Sequence, residues 1–495
     1  MAKRTNTTNV TLVTVAIFVA TFMSAVEGTI VSTAMPTIIG DLHGVTLMNW
    51  VFSIYLLTNS LATPIYGKLS DRIGRKPVFL FGLAVFIFGS MMSGLSNSMM
   101  TLIFWRAIQG IGAGTIMPVS FTIIADIYPF EKRAQVAGLN GAAWGIASVV
   151  APLLGGFIVD QLSWHWVFFI NIPIGLLTML MIMVYLHEPR QERPTAPLDL
   201  AGSAWLTLML LGLMYGFQVL GEAPLSWWLV GTSFLLAVVG LIGFIHQERR
   251  AEDPIIDLAL FNNRTFVIQN LTAALVSGYL VCFDVYIPTW TQGLLGLRAS
   301  EAGFAITPSS VMWIVGSFIA GKIMGKLTPR QVVSISTTIV LVGAIVLVLL
   351  PVQPAFWVFL VISAELGVGF GLTITSTSVT TQHLVDPKII GMATSFNTLS
   401  RSLGQTFMLA VYGIVMNTTL AHGAETHAHV SVGMLNDLIN PQTARDLPAH
   451  LMPTLRQIMS QGVHNVFWVA LGLVVVALLA NIIFDRPKTT VADSK

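Results

Sequence analysis

The sequence predicts an all-α polytopic membrane protein. Of its 495 residues, 54% are hydrophobic and only 10% are charged, and the mean hydropathy is +0.78. Soluble domains carry about 25% charged residues, so this chain has too few to cover a surface that faces water. Apolar runs of about 20 residues, each long enough to cross a bilayer as a helix, recur along the whole chain. Strands of a transmembrane barrel would instead alternate with period two over about ten residues.

Turn and charge signals divide the chain into fourteen apolar segments, which predicts fourteen transmembrane helices with both termini on one side. Of the 25 basic residues, 20 fall in the termini and alternate loops of that side, which the positive-inside rule assigns to the cytoplasm. The first apolar run follows a basic start but precedes no small-residue cleavage site, so we expect it to be retained as a helix. The sequence therefore predicts a multi-pass protein of a bacterial cytoplasmic membrane.

An internal repeat divides the chain into two halves. The run GKLSDR at 67–72 recurs as GKLTPR at 325–330, and GIGAG at 110–114 recurs as GVGFG at 367–371, at nearly the same offset. Two six-helix halves with a binding site between them describe a large class of secondary transporters. We expect a six-helix bundle over 1–190, a two-helix insert with its linkers over 191–261, and a second six-helix bundle over 262–495. The second bundle would include an extracellular loop at 418–462.

Several function classes are disfavoured by composition. The single cysteine, Cys282, excludes a disulfide within the chain and any CxxC-type metal site. The net charge of +2 is too small to indicate a nucleic-acid partner. His422, His427 and His429 lie in the predicted 418–462 loop without fixed ligand spacing, so we interpret them as part of a solvated loop and expect neither a metal nor a cofactor.

A charged run, GKLSDRIGRKP at 67–77, lies in a predicted cytoplasmic loop, where its glycines permit tight turns. Its spacing resembles the loop signature of the major facilitator superfamily. The resemblance implies that the acidic residue pairs with the arginines and with a helix end of the other half, latching an outward-open state. The candidate gating residues of the cytoplasmic loops are Gly67, Asp71, Arg72, Gly74, Arg75 and Arg133.

Four further motifs resemble those of that superfamily, and the last two of them resemble its fourteen-helix drug:proton antiporter branch. RAIQGIGAG at 106–114 is similar to its helix-4 motif, which implies a link between Arg106 and proton transfer. GIASVVAPLLGG at 145–156 is similar to its helix-5 antiporter motif, with Ala151 where glycine is usual. WHWVFFINIPIG at 164–175 and EGTIVSTAMP at 27–36 resemble its helix-6 and helix-1 motifs. In the helix-5 motif, proline and glycine favour a kink and close helix contact, which adds the gating candidates Gly145, Pro152, Gly155 and Gly156.

Ionisable residues within the apolar runs are candidates for proton coupling, because charge inside a bilayer is costly and needs a partner or a function. These residues are Glu27, Arg106, Asp284, Glu365 and Arg401, with Glu222 near a span end. Glu27, Asp284 and Glu365 fall at similar predicted depth, so they could face one shared cavity. Structural pairs remain the alternative: Glu27 or Asp284 with Arg106, and Glu365 with Arg401.

The function expected from these residues is proton-coupled antiport of lipophilic, often cationic compounds, by a protein that suffices as a monomer in the bilayer. A carboxylate that binds either a proton or a substrate cation would couple the two fluxes. Alternatives on the same scaffold are export of an endogenous metabolite or lipid, and exchange of a monovalent cation for protons. No sequence feature favours an enzyme or an ATP-driven pump. The candidate substrate-binding residues are Glu27, Asp284 and the aromatic residues Trp50, Tyr55, Trp144, Tyr279 and Trp313.

Overall fold

All regular structure in the described residues is helical. The computed structural model describes residues 8–128, 130–188, 199–220, 226–251, 254, 256, 258–324, 326–385, 390–439 and 443–484. The helices are α1 (Val10–Leu42), α2 (Met48–Ile73), α3 (Arg75–Gly94), α4 (Met99–Ala113), α5 (Ile116–Ile127), α6 (Phe130–Gln161), α7 (Trp166–Phe169), α8 (Asn171–Tyr185), α9 (Leu200–Leu220), α10 (Trp227–Glu248), α11 (Arg264–Gly293), α12 (Ala299–Ile323), α13 (Pro329–Leu349), α14 (Phe356–His383), α15 (Ile390–Thr426), α16 (Val432–Ile439) and α17 (Met452–Phe484).

Twelve helical stretches among the described residues are long and apolar enough to cross a membrane. Helices α6 and α9 do not count among them; within their described residues, the apolar stretches are the shorter Val150–Gln161 and Ala201–Phe217. The structure therefore supports a helical membrane protein with twelve candidate spans. The predicted count of fourteen, in a six-two-six arrangement, is not supported by this measure.

Contacts between the ends of the helices define two ends of the molecule. We call the end where α1 begins and α17 ends the proximal end, and the end where α1 and α11 finish the distal end. Helix α1 packs against α6 and α8, and α3 against α4. In the later part of the chain, α11 packs against α15 and α17, and α12 against α14. We refer to α1–α8 as the first half and to α11–α17 as the second half; the predicted boundaries at 190 and 261 stay predictions.

The two halves are joined at the distal end. One hydrophobic core runs across both halves there, from the end of α1 and the start of α2 to α11, α16 and α17. Gln292 on α11 donates a hydrogen bond from Nε2 to the Thr33 carbonyl on α1 at 3.2 Å. Tyr286 donates to Asn49 Oδ1 on α2 at 3.2 Å. All these groups lie in the distal parts of their helices.

Glycines allow the closest approach between the halves. A Cβ atom added at Gly303 on α12 would lie 2.2 Å from the Pro152 carbonyl oxygen on α6. One added at Gly156 on α6 would lie 2.4 Å from the Ser300 Cα on α12. Cβ contacts under 3.0 Å are essentially never observed, so this distal contact requires residues without side chains.

The proximal end has a different organisation, with separate cores in the two halves. Helices α1, α2, α3, α5 and α8 share a cluster that includes Val13, Phe79 and Ile182. The second half has a small cluster around Phe266. A third cluster links α9 and α10 to α2 and to half-buried side chains of α15. The insert α9–α10 therefore lies along the edge of the seam between α2 and α15.

The segment 418–462, expected to be a solvated loop, is largely helical. Helix α15 continues to Thr426, α16 follows, and α17 already begins at Met452. The apolar side chains of α16, Leu435, Leu438 and Ile439, are buried in the core that joins the halves. Helix α16 also packs against α1, and Asp437 pairs with His43, just beyond α1, at 3.7 Å. The second half thus carries a distal cap that rests on the first.

Candidate functional site

Glu27 lies inside the first half and is fully paired. Its side chain has no exposed surface. Arg106 Nη1 on α4 donates to Glu27 Oε1, and Asn171 Nδ2 on α8 donates to Glu27 Oε2 at 2.5 Å. Both carboxylate oxygens therefore accept a hydrogen bond, one of them from a cation, which is the arrangement that a buried charge requires.

Arg106 is the centre of this cluster. Only 1% of its side chain is exposed. Beyond Glu27, it donates to Gln109 Oε1 at 2.8 Å and through Nε to the Val51 carbonyl at 3.3 Å. Its Cζ atom lies 4.0 Å from the centre of the Tyr55 ring, within the range of a cation–π contact. The guanidinium therefore ties α1, α2 and α4 together.

Local sequence explains how this cluster is positioned. Helix α4 starts with a capping box in which Ser98 Oγ accepts from the Thr101 backbone. Arg106 lies about two turns, or roughly 12 Å, along the helix from this cap. Asn171 opens α8 and also donates to Ser90 Oγ on α3 at 3.0 Å, which orients its amide toward Glu27.

Asp284 on α11 is the opposite case. Its carboxylate makes no hydrogen bond or ion pair with any residue that the structure describes. It is also half-buried, whereas its neighbours on α11 over 276–283 and 285–293 are all buried. A carboxylate in this position has access to space between helices but no fixed partner.

Glu27 and Asp284 lie at about the same level along the helices. The bond from Gln292 to Thr33 aligns α11 with α1. Asp284 comes eight residues before Gln292 on α11, and Ala25 comes eight residues before Thr33 on α1. Glu27 is two residues after Ala25, so the levels of Asp284 and Glu27 differ by about 3 Å along the axis. Gly28, directly after Glu27, is exposed, and a Cβ atom there would meet nothing within 4 Å. Open space therefore borders α1 next to the buried pair.

Glu365 and Arg401 are brought neither to this site nor to each other. Glu365 on α14 packs against α13, because a Cβ atom at Gly343 would lie 2.1 Å from its Oε2 atom. Arg401 lies in the proximal part of α15. Within the described residues, the alternative pair of Glu365 with Arg401 is not formed, whereas the alternative pair of Glu27 with Arg106 is.

Comparison with known proteins identifies the family. Residues 17–408 match the family model described as the Major Facilitator Superfamily. The chain belongs to this superfamily. It is therefore a transporter and not an enzyme.

Two relatives of this facilitator come from Bacillus subtilis strain 168. The protein named "Multidrug transporter protein MdtP" is 33% identical over 97% of this chain and 93% of its own length. "Multidrug resistance protein 3" is 35% identical over 96% of this chain and 95% of its own length. Among solved structures, a bacterial homologue of the human lysosomal transporter Spinster, described as inward-facing and unoccupied, matches with a TM-score of 0.71. It is 17% identical and covers 99% of this chain and 100% of its own, which shows the same fold.

The aromatic candidates of this facilitator are distributed over several environments. Tyr55 lies under the Arg106 guanidinium. Tyr279 and Trp313 flank Phe370, with ring centroids 6.1 and 6.2 Å from it. Trp50 packs in the cluster of α2, α9 and α15. Their predicted roles in substrate binding stay predictions.

The gating candidates separate into two groups. Pro152, Gly155 and Gly156 lie at the distal contact, where a Cβ atom at Gly155 would be 2.3 Å from Thr33 Oγ1 on α1. At the proximal end, Gly74 has a φ of +114° and forms the turn between α2 and α3, and Gly67 lies nearly two turns before the end of α2. The remaining candidates lie outside the described residues or have side chains outside them: Asp71, Arg72, Arg133, Trp144, Gly145 and Glu222.

The proximal loop of the facilitator is anchored within its own half. Arg75 Nε lies 3.0 Å from Oδ2 of Asp126, at the end of α5. Glu188 accepts from the backbone N–H groups of Arg75 at 2.7 Å and Lys76 at 3.3 Å, which places a carboxylate at the N-terminus of α3. Among the described residues, these contacts do not reach the second half. The predicted latch to that half stays a prediction.

Sequence reasoning missed Asn171 and Gln109, which complete the Glu27–Arg106 cluster. Both interrupt apolar runs, Asn171 within WVFFINIPIG and Gln109 three residues after Arg106. For Gln109, the signal that could have identified it is its helical spacing from Arg106; for Asn171, it is an amide side chain inside an apolar run.

Proposed function

We propose that this facilitator exports lipophilic, often cationic compounds in exchange for protons, as a fourteen-helix drug:proton antiporter of a bacterial cytoplasmic membrane. The relatives named as multidrug transporters support the substrate class. The observation that carries the mechanism is the unpaired, accessible carboxylate of Asp284 at the level of the closed pair Glu27–Arg106.

In this proposal Asp284 is the exchange site. A carboxylate without a fixed partner can be neutralised either by a proton or by a substrate cation, but not by both at once. Mutual exclusion at one group is sufficient to couple downhill proton entry to uphill export. The aromatic rings of Tyr279 and Trp313 offer faces for a lipophilic cation.

Glu27 has a second role in the proposed cycle. Protonation of Glu27 would remove the charge that compensates Arg106, leaving the guanidinium with Gln109 and the Val51 carbonyl. Because Arg106 joins α1, α2 and α4, the loss of this pair would alter the packing of the first half. Proton binding at Glu27 would thereby shift the balance between two conformations.

The state with the halves joined at the distal end corresponds, in this proposal, to an inward-facing conformation with the proximal end and both termini in the cytoplasm.

We also propose that α6 and α9 cross the bilayer. Helix α6 has 32 residues and α9 has 21, and about 20 are sufficient to span. Fourteen spans in one chain that contains both halves would suffice as a monomer.

Transport into proteoliposomes tests the proposal. An ethidium-like dye should drive proton release in the wild type. We expect dye-dependent proton movement to be lost in Asp284→Asn and in Glu27→Gln, and to persist in Cys282→Ala, a nearby change on the same helix. Normal export by both acidic variants under a pH gradient would refute the coupling.

A second measurement distinguishes the alternatives. An unpaired carboxylate such as Asp284 would also accept a monovalent metal cation. If Na⁺ or K⁺ alone dissipated a pH gradient in these proteoliposomes, exchange of a monovalent cation for protons would replace drug export. If neither dyes nor cations moved protons, a metabolite or lipid substrate would be tested next.

A further inference from the structure

Arg401 on α15 is a charged group without a described partner. Its guanidinium makes no hydrogen bond or ion pair with any described residue, and its Nε atom is buried without a hydrogen-bond partner. An arginine cannot lose its proton under ordinary conditions. A cation in the interior of a membrane protein that lacks an opposite charge is strongly unfavourable. The described residues therefore do not supply the compensating charge.

The surroundings of Arg401 on α15 are neutral. One turn before it, Asn397 Nδ2 donates to Asn270 Oδ1 on α11 at 3.0 Å. Three residues after it, Gly404 packs so closely on α11 that a Cβ atom would lie 2.1 Å from the Ala274 carbonyl oxygen. Residues at this spacing share one helix face. Arg401 thus lies on the α11-facing side of α15, between the levels of Asn270 and Ala274.

The described carboxylates on neighbouring helices are too far away or point elsewhere. Asp284 comes ten residues after Ala274 on α11, about 15 Å further toward the distal end. Glu365 on α14 is held against Gly343 of α13. The described residues of α9, which also packs against α15, contain no charged side chain. This separation distinguishes Arg401 from the groups of the proposed exchange site.

Arg401 can be reached from outside the chain. It is half-buried, and Thr398 on the preceding turn is exposed. The face of α15 toward α2 and α9 is packed in this region, and Arg401 lies on the other face, toward α11. At this level of α11, Leu271 is an exposed apolar side chain, and Val267, one turn before it, is half-buried.

We propose that Arg401 binds the anionic head group of an amphiphile, a carboxylate or phosphate ester on an apolar tail. The planar guanidinium suits two-point binding of such oxygens, and the apolar side chains Val267 and Leu271 of α11 suit the tail. This site goes beyond the proposed export of cations and does not rest on it. The occupant comes either from the anionic lipids of the membrane or from the aqueous phase at the proximal end.

Binding of octyl phosphate to the full chain in phosphatidylcholine nanodiscs tests the site, with empty nanodiscs as the blank. We expect Arg401→Gln to weaken binding by at least about tenfold, because a charge-assisted hydrogen bond is lost. Arg401→Lys keeps the charge but not the two-point geometry, so its affinity should fall between those of the wild type and Arg401→Gln. The control Arg298→Gln removes an exposed arginine at the distal end and should leave binding unchanged.

A second probe separates loss of the site from loss of folding. Octyltrimethylammonium should bind equally to the wild type and to Arg401→Gln. Wild-type affinity of Arg401→Gln for octyl phosphate, or equal binding of uncharged octanol and octyl phosphate to the wild type, would overturn the proposal.

The source of the occupant is distinguished by adding phosphatidylglycerol to the nanodiscs. If membrane lipid occupies the site, octyl phosphate binding by the wild type weakens while that of Arg401→Gln does not change. If phosphatidylglycerol leaves octyl phosphate binding by the wild type unchanged, the occupant is an amphiphile from the aqueous phase. Either result supports an anion site at Arg401.

Discussion

Glu27 and Asp284 lie at about the same level in the two halves, yet their surroundings differ completely. Glu27 is closed in by Arg106 and Asn171, while Asp284 has no described partner and is half-buried. In sequence both are single acids in long apolar runs. The comparison shows that the partner, not the acid, decides whether such a residue is held in place or free to exchange its counter-ion.

The largest expected effect comes from breaking the closed pair. Arg106→Ala would leave Glu27 buried without its cation, and we expect the free energy of unfolding to fall by about 3–5 kcal/mol. Equilibrium unfolding in mixed micelles measures this change. The double variant Glu27→Gln with Arg106→Gln is the control and should lose much less. Equal losses in both variants would mean that the pair has no special energetic role.

Removal of the unpaired acid, Asp284, should leave the stability of the protein almost unchanged but reduce its transport activity. Asp284→Asn breaks no described contact, so the free energy of unfolding should stay within about 0.5 kcal/mol of the wild type. Dye export should nevertheless fall by more than about tenfold, since the exchangeable charge is gone. Unfolding and transport assays on the same preparation test both parts. A large loss of stability would show that Asp284 is a structural residue like Glu27.

The distal contact that brings the two acids to one level can be disturbed directly. Gly303→Ala would place a Cβ atom 2.2 Å from the Pro152 carbonyl oxygen and should disfavour the joined distal state by about 1–3 kcal/mol, the range for overpacking. Distances between spin labels across the distal end would report the shift. Gly321→Ala on the same helix is a matched control, because a Cβ atom there meets nothing within 4 Å.

The smallest expected effect concerns the ion pair of the distal cap. His43 and Asp437 are 3.7 Å apart, with 68% and 32% of their side chains exposed. Exposed pairs contribute between about zero and 1 kcal/mol. Asp437→Asn should therefore shift the distal distances only slightly, and high salt should abolish the difference from the wild type. A shift as large as that of Gly303→Ala would contradict this ranking.

The sequence was informative about which residues are anomalous and less informative about what surrounds them. Acids and arginines within apolar runs were identified as candidate sites, because the bilayer makes such residues exceptional. Sequence spacing alone does not select the partner of Glu27, since α1, α4 and α8 meet only through tertiary packing. For the same reason, the expectation that Glu27, Asp284 and Glu365 face one cavity found no support: Glu27 is enclosed and Glu365 packs on α13.

The 418–462 segment shows a different limit. Its histidines and length favoured a solvated loop, but α16 is a short amphipathic helix. Leu435, Leu438 and Ile439 recur at helical spacing and are buried. An eight-residue helix is too short to stand out in a pattern search, and its stability comes from the surface on which it rests.

That cap has a consequence for how transport could be stopped. Helix α16 belongs to the second half but rests on the end of α1, so any rotation of the halves that parts the distal end must lift it away. In the proposed orientation this joint faces the medium. A nanobody that bridges α16 and His43 would clamp the exporter from outside the cell, without competing with substrates and without crossing the bilayer.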